Sequence, residues 1–287
     1  MTNDPRKQDP VKELDPVADP DASSAGHPAI KAGDFEVRLA TTADEIHAAQ
    51  RLRYRALYME RGGRPDADKT ASAADADEWD ARAHHVIVTS GTGDIVGTLR
   101  LVTRDCLLPG QRFYTEGAFD LSGLRARYPR ILELGRFCIE SHRRQGGILL
   151  LIWRYAMGFI VDQRIDAMFG CVSFPGTNVE DHRKILSYLY NNNLAPPSLR
   201  PRAIVPNHVA LAQFADAAAG FEQATRDLPT LLRGYLKLGA YISDTAIIDE
   251  VFNTTFVGLY VDAAEMLAGN TPLLGRRQAQ RTQGPSS

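Results

Sequence analysis

Long apolar runs are missing from this sequence. No stretch of eighteen or more apolar residues occurs, so we expect no segment to span a bilayer. Cysteine is scarce, and Cys106, Cys138 and Cys171 are far apart with no CxxC or Cys/His spacing. This pattern predicts buried thiols of a cytosolic protein rather than a disulfide or a zinc site. The formal net charge of −2 shows no basic excess, so we predict no nucleic-acid partner.

Both ends of the chain contain little that could build a core. Residues 1–33 are rich in Asp, Pro, Ala and Ser, and they lack the apolar h-region of a secretory signal. Residues 271–287 have a similar polar character. We therefore predict a disordered leader over 1–33, a single folded domain over 34–270 and a disordered tail over 271–287. We expect a cytoplasmic protein, with peripheral contact with the inner membrane as an open possibility.

The body alternates between strand and helix patterns. Period-two alternation or short apolar runs mark the strands, and Thr41 or Thr42 offers a helix N-cap. A Gly-Thr-Gly-Asp turn between two apolar runs predicts a hairpin. The predicted strands are 35–40, 84–89, 95–102, 130–139 and 167–174, and the predicted helices are 41–57, 148–163 and 180–191. Residues 61–76 are predicted to be a mobile loop. This order predicts an α/β (α+β) fold.

The strand over 130–139 (RILELGRFCI) carries two opposite charges inside an apolar run. Glu133 and Arg136 are three residues apart, and an odd separation on a regular strand places side chains on opposite faces. A β-bulge at Gly135 would bring both to one side. Glu133 is then a candidate general base. A structural ion pair with Arg136 or another arginine explains this stretch equally well.

Four short motifs occur together in the order and spacing of one superfamily. They are LRYRALY at 52–58, DEWD at 77–80, GTLRL at 97–101 and ELGRF at 133–137. With the order of elements, they resemble the GNAT acyltransferases, whose fold has a mixed central sheet flanked by helices. The resemblance is strongest to two acyl-carrier-protein-dependent branches, the acyl-homoserine-lactone synthases and the ornithine–acyl-ACP N-acyltransferases. The first motif departs from the family, since Ala-Leu stands where Val-Phe is usual.

The second half of the chain resembles the ornithine N-acyltransferase (hemolysin-like) branch. The segments that carry this resemblance are 150–154, 170–174, 228–240 and 249–256. Homoserine-lactone synthases are usually shorter and lack this C-terminal extension. The resemblance implies an N-acyltransferase that moves a (3-hydroxy)fatty acyl group from acyl carrier protein to the α-amine of L-ornithine. The product would be lyso-ornithine lipid, in the first step of ornithine lipid biosynthesis.

Such a reaction sets chemical requirements that the motifs can meet. The attacking amine is an ammonium ion at neutral pH, and a partly buried carboxylate with a raised pKa can take its proton. We assign Glu133 as the candidate base, with Arg136 as its catalytic neighbour. Backbone N–H groups at a bulge over 134–137 could stabilise the oxyanion. No acyl-enzyme is required, so Cys138 is predicted to be a core residue.

The resemblance implies that the other motif residues bind substrate. An arginine can bind the acceptor's carboxylate, and Asp77 and Asp80 could receive its distal ammonium. The alternatives are an internal ion-pair network for the arginines and capping roles for the aspartates. The predicted substrate-binding residues are Arg53, Arg55, Asp77, Trp79, Asp80, Arg100, Ser173 and Phe174.

The turn before the helix at 148–163 bears on the acyl donor. CoA-dependent GNAT proteins cradle a pyrophosphate in a glycine-rich loop, and RRQGG at 143–147 resembles that loop only in part. Phosphopantetheine carries one phosphate, so the departure favours an acyl-carrier-protein donor, with no bound cofactor. We predict that Arg143, Arg144, Gly146 and Gly147 hold this arm. A basic set could meet the carrier protein or could be a solvated face: Arg125, Arg127, Arg130, Arg143, Arg144 and Arg154.

Several alternatives stay open. Residues 228–240 interleave leucines with Arg233 and Lys237, which fits a membrane-interfacial element or a buried helix. Apolar residues such as Met157, Phe159 and Met168 could line an acyl tunnel or belong to the core. The scaffold could acylate another amino acid, make an acyl-homoserine lactone, or bind carrier protein or lipid without catalysis.

Overall fold

The computed structural model describes residues 27–144, 147–215 and 228–269. Its strands are β1 (Ile30–Ala32), β2 (Phe35–Leu39), β3 (His84–Thr89), β4 (Ile95–Thr103), β5 (Phe119–Asp120), β6 (Ile131–Ile139), β7 (Ala167–Pro175), β8 (Arg202–Ala203), β9 (His208–Ala210), β10 (Tyr241–Asp249) and β11 (Thr254–Asp262). Its α-helices are α1 (Ala43–Tyr54), α2 (Ala67–Ser72), α3 (Ser122–Arg127), α4 (Ile148–Asp162), α5 (Arg183–Asn193), α6 (Thr230–Lys237) and α7 (Ala263–Gly269).

The described strands build one large mixed sheet and one small one. The large sheet has the order β1-β2-β3-β4-β6-β7-β11-β10-β9, and β5 pairs with β8. Neighbours in the large sheet are antiparallel except β6 and β7, which are parallel. A parallel pair needs a crossover connection, which α4 supplies here. The predicted mixed sheet flanked by helices is confirmed.

The sheet is buried on both faces, and β6 shows how its residues divide. Leu132 and Leu134 belong to the apolar cluster that contains the buried face of α4. Ile131 belongs to a second cluster, with Phe113 and Leu124. Because alternate strand residues face opposite sides, Glu133 lies on the Ile131 side, away from α4.

Local signals in the sequence correctly predicted the helices and strands of the first part of the chain. Thr42 caps α1, and its side chain accepts the backbone N–H of Glu45 over 3.2 Å. A hydrogen bond from Arg38, supported by others, lowers the pKa of Glu45 to about 2. The predicted hairpin forms as β3 and β4. The helices and strands predicted between residues 35 and 191 are present, with end points shifted by a few residues.

Two segments differ from the sequence-based expectation. Residues 30–32, part of the predicted leader, form β1 and pair with β2, so order begins before residue 34. The predicted loop over 61–76 contains α2, capped by Asp66, and the fully buried Asp75. Residues 1–26 and 270–287 lie outside the described residues, so the predicted leader and tail stay predictions there.

The 228–240 segment packs against α4. Leu232, Tyr235 and Leu238 of the 228–240 segment are buried, and Tyr235 meets Trp153 edge-on with ring centroids 4.8 Å apart. This supports the buried-helix alternative for that segment. Of the helices in the described ranges, none has the length and apolar character needed to cross a membrane.

Candidate active site

A β-bulge interrupts β6 beside Glu133. The register to β4 slips by one residue between Gly135 and Cys138. Arg136, inside this slip, has a φ of 54°, in the left-handed region that residues with a Cβ seldom adopt. The extra residue re-aims the chain, so that Glu133 and Arg136 line the same cavity. The predicted bulge is therefore confirmed, next to Gly135.

The parallel strands β6 and β7 pair only over their first halves. Pairing runs from Ile131 with Ala167 to Leu134 with Gly170, and beyond that point the strands part. Gly170 permits the last close approach, since a Cβ there would lie 2.4 Å from the carbonyl oxygen of Leu134. The gap forms a cavity of about 180 Å³, the first cavity. Its lining includes Arg61, Tyr114, Glu133, Arg136, Ser173 and Asp249.

The carboxylate of Glu133 is buried and held by backbone donors. Its Oε1 accepts the N–H of Thr115 over 2.6 Å, and its Oε2 accepts the N–H of Tyr114 over 3.2 Å. Burial raises the pKa of Glu133, although these hydrogen bonds and the charge of Arg100 oppose the rise. A fixed carboxyl group with a raised pKa suits a general base.

Buried ion pairs tie helix α1 to the sheet. The Nε of Arg53 lies 3.0 Å from Oδ2 of Asp75, and its Nη1 donates to Oδ1 of Asp80 over 3.0 Å. Arg100 on β4 donates to the same Oδ1 over 2.9 Å. Burial alone would raise the pKa of Asp80. The hydrogen bonds and charges of Arg53 and Arg100 outweigh burial and hold this pKa well below its usual range.

Arg136 completes this ion-pair network from the bulge. Its Nε donates to Oδ2 of Asp75 over 2.9 Å, and its Nη2 donates to Oδ2 of Asp77 over 3.0 Å. Arg100 also pairs with Asp77, and the Arg136 guanidinium lies 4.5 Å from the centre of the Tyr114 ring. Each of the network's three aspartates thus has two arginine partners. The arginines therefore form the internal ion-pair network that was the alternative to substrate binding. A role for its members in binding the acceptor stays a prediction.

The remaining predicted substrate-binding residues are dispersed. Ser173 lines the first cavity, and Trp79 lines a second one. Phe174 is buried in the core and lines neither. Arg55 has a half-exposed side chain 4.0 Å from Glu140, away from both cavities. Of these four, only Ser173 shares the cavity with Glu133.

A second cavity of about 680 Å³ adjoins the first. The two share Tyr114, Thr115, Cys171, Asp249 and Phe256. The second cavity's other walls are mainly apolar and include Trp79, Ala118, Val205, Ile247, Ile248 and Val251. The residues considered for an acyl tunnel, Met157, Phe159 and Met168, are buried and line neither cavity, which supports their core role.

The turn between β6 and α4 shows part of the predicted donor loop. Gly147 adopts a left-handed φ of 76° and begins α4. Arg143 is exposed, whereas Arg144 pairs with Glu60. Gly146 lies outside the described residues, so its predicted contact with phosphopantetheine stays a prediction.

The predicted basic set does not form a single face. Arg125, Arg127 and Arg130 precede β6, whereas Arg143 and Arg144 follow it. The nine residues of β6 separate these groups by roughly 25 Å. Arg125 and Arg130 also have carboxylate partners, Glu116 and Asp166. The role of this set in binding a carrier protein stays a prediction.

The thiols and histidines near the cavity have structural surroundings. Burial raises the pKa of Cys138 and of Cys171 to about 12, so both are neutral thiols at physiological pH. This supports the predicted core role of Cys138. His85 places Nε2 2.9 Å from the backbone oxygen of Asp80. Within 27–144, 147–215 and 228–269, no group of three or more His, Cys, Asp or Glu is placed to hold a metal ion.

Some residues of the site were missed from the sequence. Asp75 ends a segment without apolar periodicity, so nothing local marked it as buried. Tyr114 and Thr115 precede Glu133 by 19 and 18 residues, and only the fold brings them together. Asp249 begins the 249–256 segment that resembles the family, but nothing in the sequence indicated that its side chain would line the cavity.

Comparisons with known proteins identify a family model, two curated relatives and a solved structure that this chain resembles. Residues 52–154 match the family model described as an acetyltransferase (GNAT) domain. The chain is 34% identical to the L-ornithine N(alpha)-acyltransferase of Rhodobacter capsulatus, over 85% of this chain and 95% of that protein. It is 35% identical to the protein of that name from Agrobacterium fabrum, over 88% of each chain. Among solved structures, FeeM, an N-acyl amino acid synthase from uncultured soil microbes, aligns at a TM-score of 0.42 and 12% identity, covering 83% of this chain and 96% of FeeM.

Proposed function

Because the chain belongs to the L-ornithine N(alpha)-acyltransferase family, we propose that it transfers a (3-hydroxy)fatty acyl group from acyl carrier protein to the α-amine of L-ornithine. The product is an N-acyl ornithine, the lyso form of ornithine lipid. One observation carries the mechanism. Glu133 places a buried carboxyl group with a raised pKa in the cavity where β6 and β7 part.

Glu133 acts in this proposal as the general base. The α-ammonium gives its proton to the Glu133 carboxylate, and the freed amine attacks the thioester carbonyl. When the tetrahedral intermediate collapses, the C–N bond remains and the C–S bond breaks. The proton held by Glu133 passes to the departing phosphopantetheine thiolate. The regenerated carboxylate then takes the second proton that the attacking nitrogen loses on becoming an amide and passes it to solvent. One proton is released per turnover, and no covalent acyl-enzyme forms.

The bulge supports a place for the oxyanion. Beyond Leu134 the strand β6 has no β7 partner on its open side, and Arg136 has a left-handed φ of 54°. Backbone N–H groups of residues 134–137 can therefore turn toward a thioester that lies in the gap. The ion pairs of Arg136 with Asp75 and Asp77 fix this backbone before substrate binds.

The donor in this proposal is a carrier protein whose phosphopantetheine arm enters between the parted strands. The C-terminal end of β6 leads into the turn with Arg143 and Gly147, where one phosphate could be bound. This part is tested by comparing acyl-ACP and acyl-CoA of the same chain length. We expect a higher kcat/KM with acyl-ACP. A preference for acyl-CoA would overturn the carrier-protein assignment.

The second cavity is the proposed site of the acyl chain. It is larger than the first, joins it along a wall that includes Cys171 and Phe256, and has mainly apolar sides. An acyl chain there would leave its thioester in the first cavity, beside Glu133. Long apolar ligands are held by such cavities with few polar contacts.

The proposed location is the cytoplasm, with the amphiphilic product delivered to the inner membrane. Peripheral contact with that membrane through residues 228–240 stays a prediction. The burial of Leu232, Tyr235 and Leu238 favours a packing role for this segment.

An acceptor screen tests the proposed reaction directly. Purified full-length protein is given long-chain 3-hydroxyacyl-ACP, a panel of free amino acids and S-adenosylmethionine, and the products are identified by mass spectrometry. We expect N-acyl ornithine. A product with another acceptor would keep the chemistry and reject ornithine. Intact carrier-protein binding without any product would instead indicate a non-catalytic binding module.

A further inference from the structure

The first cavity contains two carboxylates that lie outside the ion-pair network. Its charged lining residues are Arg61, Arg100, Glu133, Arg136 and Asp249. Arg100 and Arg136 are each paired with two aspartates. Glu133 serves as the base in the proposed reaction, which leaves Asp249 and Arg61 without an assigned role.

Asp249 is held in place through only one of its oxygens. It ends β10, and its Oδ1 accepts the backbone N–H groups of Val251 over 2.8 Å and Phe252 over 3.0 Å. Its Oδ2 has no hydrogen-bond or ion-pair partner in the part of the chain that the structure describes. The residue is half-buried, and an unpaired carboxylate oxygen on a cavity wall is a strong acceptor for a cation.

Asp249 and Glu133 line the first cavity together with Cys171. Cys171 lines both cavities, and its sulfur lies 3.8 Å from the hydroxyl of Thr115, whose backbone binds Glu133. The charges of Glu133 and Asp249 both add to the effect of burial on the pKa of Cys171. Two carboxylates therefore line the same small cavity.

Arg61 carries the complementary charge on an adjoining segment. Its guanidinium has no carboxylate partner within the described residues, unlike those of Arg100 and Arg136. The segment is joined to the turn after Asp249, since Asn253 donates from Nδ2 to the Arg61 carbonyl over 2.9 Å. The backbone N–H of Arg64 also donates to the carbonyl of Val251 over 2.6 Å. One unpaired cation and one unpaired anion thus border the first cavity together.

We propose that Asp249 and Arg61 recognise the amino-acid acceptor. Asp249 binds its distal ammonium, and Arg61 binds its α-carboxylate. This inference rests on the proposed function. A dibasic amino acid held at both ends presents its α-amine to Glu133 between them. A site built to pair a charged group rejects analogues that lack the group, because its own charge then stays unpaired.

Two acceptor analogues isolate the two contacts. L-norvaline keeps the carbon skeleton of ornithine without the distal amine, and putrescine keeps both amines without the carboxylate. Values of kcat/KM are measured with long-chain 3-hydroxyacyl-ACP. In the wild-type protein we expect ornithine to exceed each analogue by at least about a hundredfold. Equal values for ornithine and norvaline would overturn the Asp249 assignment without any variant.

The variant Asp249→Asn keeps an oxygen for the two backbone N–H groups and removes the charge. We expect the ornithine-to-norvaline ratio to fall by about a hundredfold, through a higher KM for ornithine together with a gain in norvaline turnover. Arg61→Gln, at an exposed position, should instead lower the ornithine-to-putrescine ratio. An unchanged ratio in either variant would overturn the role of that residue.

Asp262→Asn is the matched control. Asp262 also ends a strand, and its Oδ1 accepts two backbone N–H groups, from Ala264 over 2.8 Å and Glu265 over 3.0 Å. It lines neither cavity, so this variant should keep both ratios. Failure of the wild-type protein to acylate ornithine would reject the proposed function and this inference together. Normal ornithine acylation with unchanged ratios in the variants would reject the inference alone.

Discussion

The Nε of Arg136 donates to Oδ2 of Asp75 over 2.9 Å and so joins the bulge of β6 to a segment 61 residues earlier in the chain. The bulge that places Arg136 in this pair also brings it to the cavity of Glu133. A left-handed φ at a residue with a Cβ is costly, and two buried ion pairs offset that cost. The arrangement of the cleft therefore depends on the ion-pair network.

Replacing Arg136 by Met should destabilise the protein strongly. The change leaves Asp75 and Asp77 each short of one partner in a buried setting, and removing one member of a buried pair costs about 3–5 kcal/mol. The free energy of unfolding, measured by urea denaturation, should fall by that amount. Arg55→Met is the control, since Arg55 is half-exposed and 4.0 Å from its partner. Equal effects of the two substitutions would contradict the network's structural role.

The pKa of Asp80 predicts how stability depends on pH. This carboxyl group has a pKa below its usual range in the folded protein, against about 3.9 in the unfolded chain. The folded state therefore gains stability above about pH 4, and this gain is lost as the pH falls further. Urea unfolding curves at several pH values should show a weaker acid dependence in Asp80→Asn than in the wild type. Parallel pH dependences in the two proteins would contradict this assignment.

The proposed acyl cavity can be tested by filling it. Val205 lines the second cavity and not the first, so Val205→Trp should lower kcat/KM for a long-chain donor by about tenfold or more and spare a short-chain donor. Ile204→Trp is the control, because Ile204 is exposed and lines neither cavity. If Val205→Trp lowered kcat/KM equally for the long-chain and short-chain donors, the acyl chain would not occupy the second cavity.

The raised pKa of Glu133 predicts how kcat/KM depends on pH on the acid side of the pH–rate profile. The base acts only as a carboxylate, so kcat/KM should rise with pH through a pKa above the ordinary value of about 4.3. The limb is measured in the pH profile of acyl transfer to ornithine. A profile that is flat down to pH values near 4 would mean that Glu133 does not titrate in the catalytic step.

Local patterns in the sequence predicted much of the fold and part of the site. A strand with a carboxylate and a guanidinium three apart, around a glycine, signalled the bulge between Gly135 and Cys138. The cap at Thr42 and the hairpin turn were equally local. Such features depend on neighbouring residues, which is why the sequence alone reveals them.

Contacts between distant segments could not be predicted in this way. The backbone donors of Tyr114 and Thr115, the burial of Asp75 and the position of Asp249 all arise from the packing of separate segments. Phe174, a residue in a family-like motif, is buried in the core and lines neither cavity, and its substrate-binding role stays a prediction. A motif identifies a segment of the site but not the direction in which each side chain points.

The most direct measurement of the central claim is kcat for acyl transfer to ornithine by Glu133→Gln, compared with Glu116→Gln. Glu116 is also buried and accepts a backbone N–H, that of Phe113 over 3.0 Å, but it lines neither cavity. We predict a folded Glu133→Gln protein whose kcat is reduced at least about a hundredfold, and near wild-type turnover in Glu116→Gln. Near-normal turnover in Glu133→Gln would remove Glu133 from the mechanism and contradict the account.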